Sequence, residues 1–232
     1  MTRARTHFDE DILRAESPLT MAVTQGLSES VSSDLRRHAV AAAVGALDAY
    51  LCDTYVDLLA SALVQARTKA TSLPSAYRKE QLPAGPLLAA YNKRPNWGLR
   101  MAARLRMEKD NMLQISRVPD MFNPALPQGQ KLWNDLMPAY LALNRKRLTH
   151  FTAAEFAAVP SQQKSKALTK ARGTLIARIG TIIQRRHDIV HNCDRPRQAV
   201  TALTQAAAKK MIRDIRDLIE ILDSHVEQHR TA

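Results

Sequence analysis

Eight of the eleven prolines fall between Thr71 and Phe151, at positions 74, 83, 86, 95, 119, 124, 127 and 138. Proline lacks an amide proton and its ring collides with the carbonyl four residues back, so no single long helix can cross this stretch. On either side prolines are rare and apolar residues recur at spacings of three and four. The chain therefore reads as long amphipathic helices flanking a middle of short ones.

The first long helix is expected from Ser32-Ser33-Asp34, which offers an N-cap, to about residue 69. Its stripe is Val40, Val44, Leu47, Leu51, Tyr55, Leu58, Leu59 and Leu63. A second is expected over residues 161–190 with Leu168, Leu175, Ile176, Ile179, Ile182 and Ile183 on one face, ended by Asn192 and Pro196. A third is expected over 199–228 on Met211, Ile212, Ile215, Leu218, Ile219, Leu222 and Val226, with Asp214, Arg216, Asp217 and Glu220 off that stripe. Between the prolines, short helices fit residues 87–92, 96–113 and 130–147, the last kinking or restarting at Pro138. Residues 1–28 read as a polar lead-in with one helical segment over 18–27, followed by one domain over 29–232. A proline-rich, basic insertion interrupts that domain at about 71–160.

Seven glycines in 232 residues are too few for the tight turns of a sheet protein, so the fold class is all-α. Two cysteines, Cys52 and Cys193, exclude a disulfide framework and a cysteine-rich zinc finger. No glycine-rich phosphate loop is present, which excludes a Walker-type nucleotide hydrolase. No uninterrupted run reaches the roughly 18 apolar residues of a membrane span. The longest weakly polar run, residues 39–51, contains Asp48, and the first residues lack the apolar centre of a secretory signal. No membrane partner and a cytoplasmic location are expected.

Thirty-four Lys and Arg against twenty-two Asp and Glu leave a charge of +12, which points to a polyanionic partner, RNA or DNA first. Bases cluster at Lys93, Arg94, Arg100, Arg104, Arg106 and Lys109, and again at Arg145, Lys146 and Arg147. Each cluster reads either as a solvated helix face or as a phosphate-contacting groove. Trp97 lies among the first group and suits packing or stacking on a base.

The densest chemistry is QRRHDIVHNCDRP, which crowds Arg185, Arg186, His187, Asp188, His191 and Asp194 together, with Ile189 and Val190 expected to anchor the turn. His187 and His191 are i,i+4 neighbours on one helical face. Arg186 projects about 140° away from His191. Three readings fit. Arg and His at a helix C-terminus cap carbonyls and complement the dipole. His187 and His191 with Cys193, Asp188 or Asp194 could hold zinc, but the HExxH glutamate and a second ligand cluster are missing, so no metal is expected. The third reading is catalytic.

Arg186-His187-Asp188-Ile189-Val190-His191 resembles the Arg-x4-His signature of the HEPN superfamily, in which a polar residue commonly follows the Arg. The first helix, from Leu35-Arg36-Arg37-His38 through Asp48-Ala49-Tyr50-Leu51, resembles the opening helix of its RiboL-PSP branch, where an acid precedes Ala/Ser-Tyr. The resemblance covers the first, penultimate and last helices; the middle insertion matches nothing comparable. It implies a HEPN-like helical bundle and a metal-independent endoribonuclease needing no cofactor, in which Arg-x4-His elements of two protomers meet in one cleft of a homodimer. His has the ordinary pKa nearest neutrality, about 6.5, and suits proton transfer. Arg stays charged and forks onto phosphate oxygens. On this resemblance His191 is the proton-transfer residue and Arg186 the phosphate clamp. His187, Asp48 and Asn192 are auxiliary, and Arg185 joins Arg100, Arg104, Arg106, Arg145, Lys146 and Arg147 as RNA-binding bases. A bacterial defence or toxin setting, with an antitoxin or other partner protein, is implied by the family alone. Two alternatives remain open: a non-catalytic HEPN-like RNA- or DNA-binding or adaptor module, and a structural interaction protein whose last helix pairs with another chain.

Overall fold

A computed structural model describes residues 2–68, 73–91, 94–108, 113–126, 131–192 and 200–230. The fold is all-α, with no strand among the described residues. In chain order the helices are α1 (Arg3–Thr24), α2 (Glu29–Thr68), α3 (Ser75–Arg78), α4 (Ala84–Ala90), α5 (Pro95–Met107) and α6 (Val118–Phe122). They continue with α7 (Leu132–Ala142), α8 (Lys146–Thr149), α9 (Ala153–Ala157), α10 (Lys164–Asn192) and α11 (Gln205–Arg230). Two compact units emerge: Met1–Tyr50 with Leu136–His225, and Leu51–Asp135 with Val226–Ala232. Helix α2 supplies its first half to one unit and its second half to the other.

The first residues are not a polar lead-in. Helix α1 starts at Arg3, with the Thr2 hydroxyl accepting from the Arg5 amide, and it runs on through Pro18. Its buried face is Ala4, Phe8, Ile12, Ala15 and Leu19, spaced four, four, three and four. Charged residues between these positions dilute the pattern in the sequence, and Pro18 suggests a helix start where the structure has a helix interior. Gly26, at φ 57°, provides the left-handed residue that ends α1 and turns the chain into α2. Helix α2 contains an 18-residue window of mean hydropathy 1.3, long and apolar enough to cross a membrane by composition. In the structure 61% of that window is buried within the protein, which is how a core helix reads.

In the second unit, the distal half of α2 presents Asp53 and Asp57, one turn apart, to Arg104 and Arg100, one turn apart on α5. The pairs Asp53–Arg104 and Asp57–Arg100 run in opposite sequence order, as antiparallel neighbours require. Arg106 joins Glu80 at 2.9 Å, and Glu80 also accepts from the Tyr55 hydroxyl. Helices α4 and α5 meet at Gly98, where a Cβ would lie 2.8 Å from that of Ala90 and 2.9 Å from the Pro86 carbonyl oxygen. Any larger residue would push these helices apart.

In the first unit, α11 buries three carboxylates. Asp214, 1% exposed, receives a forked pair of bonds from Arg147 at 2.5 and 2.9 Å and one from Arg178 at 2.8 Å. Asp217 pairs with Arg145. Asp223 accepts from the hydroxyls of Thr2 and Tyr50 at 2.8 and 3.0 Å. Asp214 and Asp217, expected off the apolar stripe, thus lie on the buried face, because arginines from α8, its N-cap and α10 reach them there. The long helix expected over 130–147 is divided: α7 passes through Pro138, and Asn144 in the left-handed region separates it from α8. The last helix begins at Gln205, six residues later than its sequence pattern suggests. A buried ion pair that loses one partner leaves an uncompensated charge, which costs about 3–5 kcal/mol. Asp214→Asn should therefore lower the melting temperature by roughly 6–15 °C in a thermal scan; an unchanged midpoint would show that Asp214 does not tie these helices together.

Candidate active site

The Arg-x4-His element occupies the last two turns of α10, in the first unit. The turn is held from two sides. Arg185 donates to the Thr201 carbonyl oxygen at 2.8 Å, and Arg37 from α2 donates to the same oxygen at 3.2 Å. Arg37 is itself buried, with Ser33 and Asp34 accepting from its Nη1 at 2.6 and 3.3 Å. Thr201 follows a stretch outside the described residues, so these two arginines fix where the chain re-enters before α11.

His187 and His191 are both exposed, and their rings lie 4.5 Å apart at 43°. The i,i+4 spacing alone produces this, because the two positions differ by only about 40° around the helix. Asp188 accepts from Gln184 at 2.9 Å, so its carboxylate is occupied locally. Val190, expected to anchor the turn, is 49% exposed, and Ile189 is half-buried. The turn therefore presents an apolar point beside its imidazoles.

Arg186 is half-buried and acts on Asp48 of α2. Burial raises the Asp48 carboxyl above its ordinary range, and the Arg186 charge partly offsets that rise. One Asp48 oxygen is buried with no hydrogen-bond partner among the described residues. The structure thus brings Arg186 to Asp48 and His191 to His187; within one chain it does not join Arg186 to His191 directly, as their angular separation on α10 requires. Asn192 is the last residue of α10, and its side chain lies outside the described residues, as do Lys93, Lys109, Cys193 and Asp194.

Six of the basic residues named as RNA-binding are each placed against an acid, and Arg185 donates to the Thr201 carbonyl oxygen. Arg100 pairs with Asp57, Arg104 with Asp53 and Arg106 with Glu80. Arg145 pairs with Asp217, Lys146 with Glu155 and Arg147 with Asp214. A phosphate would have to compete with these carboxylates. Trp97 is half exposed in the first turn of α5. His225 is buried, and Cys52 is half-buried.

The chain matches the model of the family RiboL-PSP-HEPN over residues 9–228. It belongs to that family. The match includes most of α1 and the whole middle region, well beyond the three helices whose residues carry the resemblance. No characterised protein in the curated collection and no solved structure matches it.

In this RiboL-PSP-HEPN chain, no group of three His, Cys, Asp or Glu able to hold a metal ion occurs among the described residues. The acid ahead of Ala-Tyr is the one paired electrostatically with the Arg of the Arg-x4-His element, and the Tyr is the buried partner of Asp223. Two neighbouring residues of α2 thus face different tasks, one toward α10 and one toward α11. The raised Asp48 carboxyl has a stability consequence. In the folded state it binds its proton more tightly than in the unfolded chain, so the ionised form penalises folding at neutral pH. The penalty fades as pH falls through the raised range and is gone below the ordinary carboxylate range. Asp48→Asn should raise the melting temperature at pH 7 and lose that advantage near pH 3; a variant less stable at pH 7 would show that the carboxylate is paid back by Arg186.

Proposed function

We propose that this protein is a metal-independent endoribonuclease of HEPN type. The observation that supports it best is the exposed His187–His191 pair on the last turns of α10, with the Arg186 charge acting on Asp48 of α2, in a chain of the RiboL-PSP-HEPN family. RNA cleavage without a metal needs a base at the ribose 2′-hydroxyl, an acid at the departing 5′-oxygen and positive charge at the phosphorus. In this reading His191 takes the 2′-hydroxyl proton, and the 2′-oxygen attacks phosphorus. The bond to the 5′-oxygen breaks as a second imidazolium supplies a proton, giving a 2′,3′-cyclic phosphate and a 5′-hydroxyl. Arg186 neutralises the pentacoordinate phosphate.

One chain presents Arg186 and His191 about 140° apart, so a second copy of the chain supplies the opposing imidazole across a two-fold axis. The half-exposed Val190 beside His191 gives such an interface an apolar contact. His187 orients the neighbouring ring, and Asp48 orients the guanidinium. The unmatched orientation within one protomer is what favours a homodimer over a monomeric active site. By family kinship the setting is a cytoplasmic bacterial defence or toxin system with a neutralising protein partner.

The test is incubation of labelled single-stranded RNA and tRNA with the purified protein in EDTA. His191→Ala and Arg186→Ala should each lower cleavage by at least about 100-fold, in the range of a lost general acid–base or charge-stabilising group; His191→Ala leaves the melting temperature nearly unchanged, whereas Arg186→Ala also lowers it, because Asp48 loses the charge that offsets its burial. Cleavage persisting in both variants would remove these residues from the mechanism. RNA that is bound and left intact by the wild type would favour the binding-module alternative.

A further inference from the structure

Most basic side chains that cluster in this sequence are neutralised, which makes the exceptions informative. Lys209 and Arg213, one turn apart on α11, are exposed and have no ion pair among the described residues. They line a cleft of about 310 Å³ between α11 and α1, with Arg216 on the same face one turn further on. The cleft floor includes Leu19 and Ile212, both buried. Its one acid, Glu16, is engaged by Arg216 at 2.9 Å, which leaves the charges of Lys209 and Arg213 uncompensated.

Burial, then the neighbouring charges of Arg147 and Arg213, lower the Arg145 guanidinium from its ordinary range, against the opposing pull of Asp214 and Glu220. Arg213, which lines the cleft, is thus close enough to Arg145 for its charge to act there. Like charges tolerate such proximity poorly, and a bound polyanion relieves it. The cleft volume is at the lower end of ligand sites, and its open, half-apolar lining suits a phosphate with its sugar rather than an enclosed small molecule.

We infer that Lys209, Arg213 and Arg216 form an anchoring site for the phosphate backbone of the RNA strand, separate from the Arg186–His191 turn at the end of α10. The inference rests on the ribonuclease reading and extends it: the strand is held by α11 while the α10 end acts on it. Arg216 keeps Glu16 and orients the cleft. Lys209 and Arg213 supply the phosphate contacts, and sequence preference does not arise here because backbone contacts carry none.

The test is the salt dependence of binding to labelled single-stranded RNA, measured in a His191→Ala background so that the strand survives. Each phosphate contact on a single strand contributes about 0.7 to the slope of log affinity against log salt. Lys209→Gln with Arg213→Gln should weaken binding several-fold and lower that slope by about 1.4. Arg100→Gln with Arg104→Gln removes the same charge from residues already paired to acids and should leave the slope unchanged. An equal fall in both double variants would reduce the effect to net charge and overturn the site. RNA bound with an unchanged slope by the α11 variant overturns the cleft alone. A wild-type chain that binds no RNA at low salt overturns the ribonuclease reading along with it. Acetylation footprinting of the unsubstituted Lys209 gives a second readout: RNA should protect it, and equal reactivity with and without RNA contradicts the assignment.

Discussion

Three buried carboxylates of α11 organise the first unit. Asp214 gathers Arg147 and Arg178, Asp217 takes Arg145, and Asp223 ties Thr2 at the head of α1 to Tyr50 on α2. The apolar residues between them, Ile215, Leu218, Ile219 and Leu222, bury almost completely and supply the non-directional part of the packing. Such packing alone tolerates sliding of one helix along another. Buried charges do not, because each displaced partner leaves an ion without compensation. The register of α10 against α11, and hence the position of the α10 end, follows from where Arg178 meets Asp214.

The same polar economy explains what the sequence did and did not make legible. The all-α class, the long helices and the Arg-x4-His turn follow from periodicity and motif spacing, which are local properties. The α11 acids were misjudged because Asp on an amphipathic helix normally marks the wet face; only the arrival of distant arginines makes that position dry. Asp53 and Asp57 show a signal that was present: two acids four apart on an apolar helix match two arginines four apart on another. Read in isolation, Arg100 and Arg104 looked like a nucleic-acid face. Read with their partners, they are a helix-pairing device. The first helix escaped for the opposite reason, since five buried positions were hidden among charges and a proline.

The candidate site combines rigid support with exposed chemistry. Arg37 and Arg185 converge on one carbonyl and fix the surroundings of the α10 end, while His187 and His191 stay open to solvent. Asp48 is the costly element: a buried carboxylate oxygen without a hydrogen bond, next to a guanidinium that only partly compensates it. A carboxyl raised by burial next to the Arg of the Arg-x4-His element is the arrangement expected where function takes precedence over stability. The Arg-x4-His motif could be read from sequence, but its Arg and His are separated on the helix. In the proposed mechanism, that separation is the reason a second copy of the chain is invoked.

The termini of the RNA products test the central claim most directly. After reaction in EDTA, fragments should carry a 2′,3′-cyclic phosphate on one side and a 5′-hydroxyl on the other, and a 2′-deoxy substitution at the cleaved position should protect the strand. Fragments ending in 5′-phosphate and 3′-hydroxyl, or cleavage that appears only when a divalent metal is added, would contradict a mechanism built on imidazole and guanidinium alone.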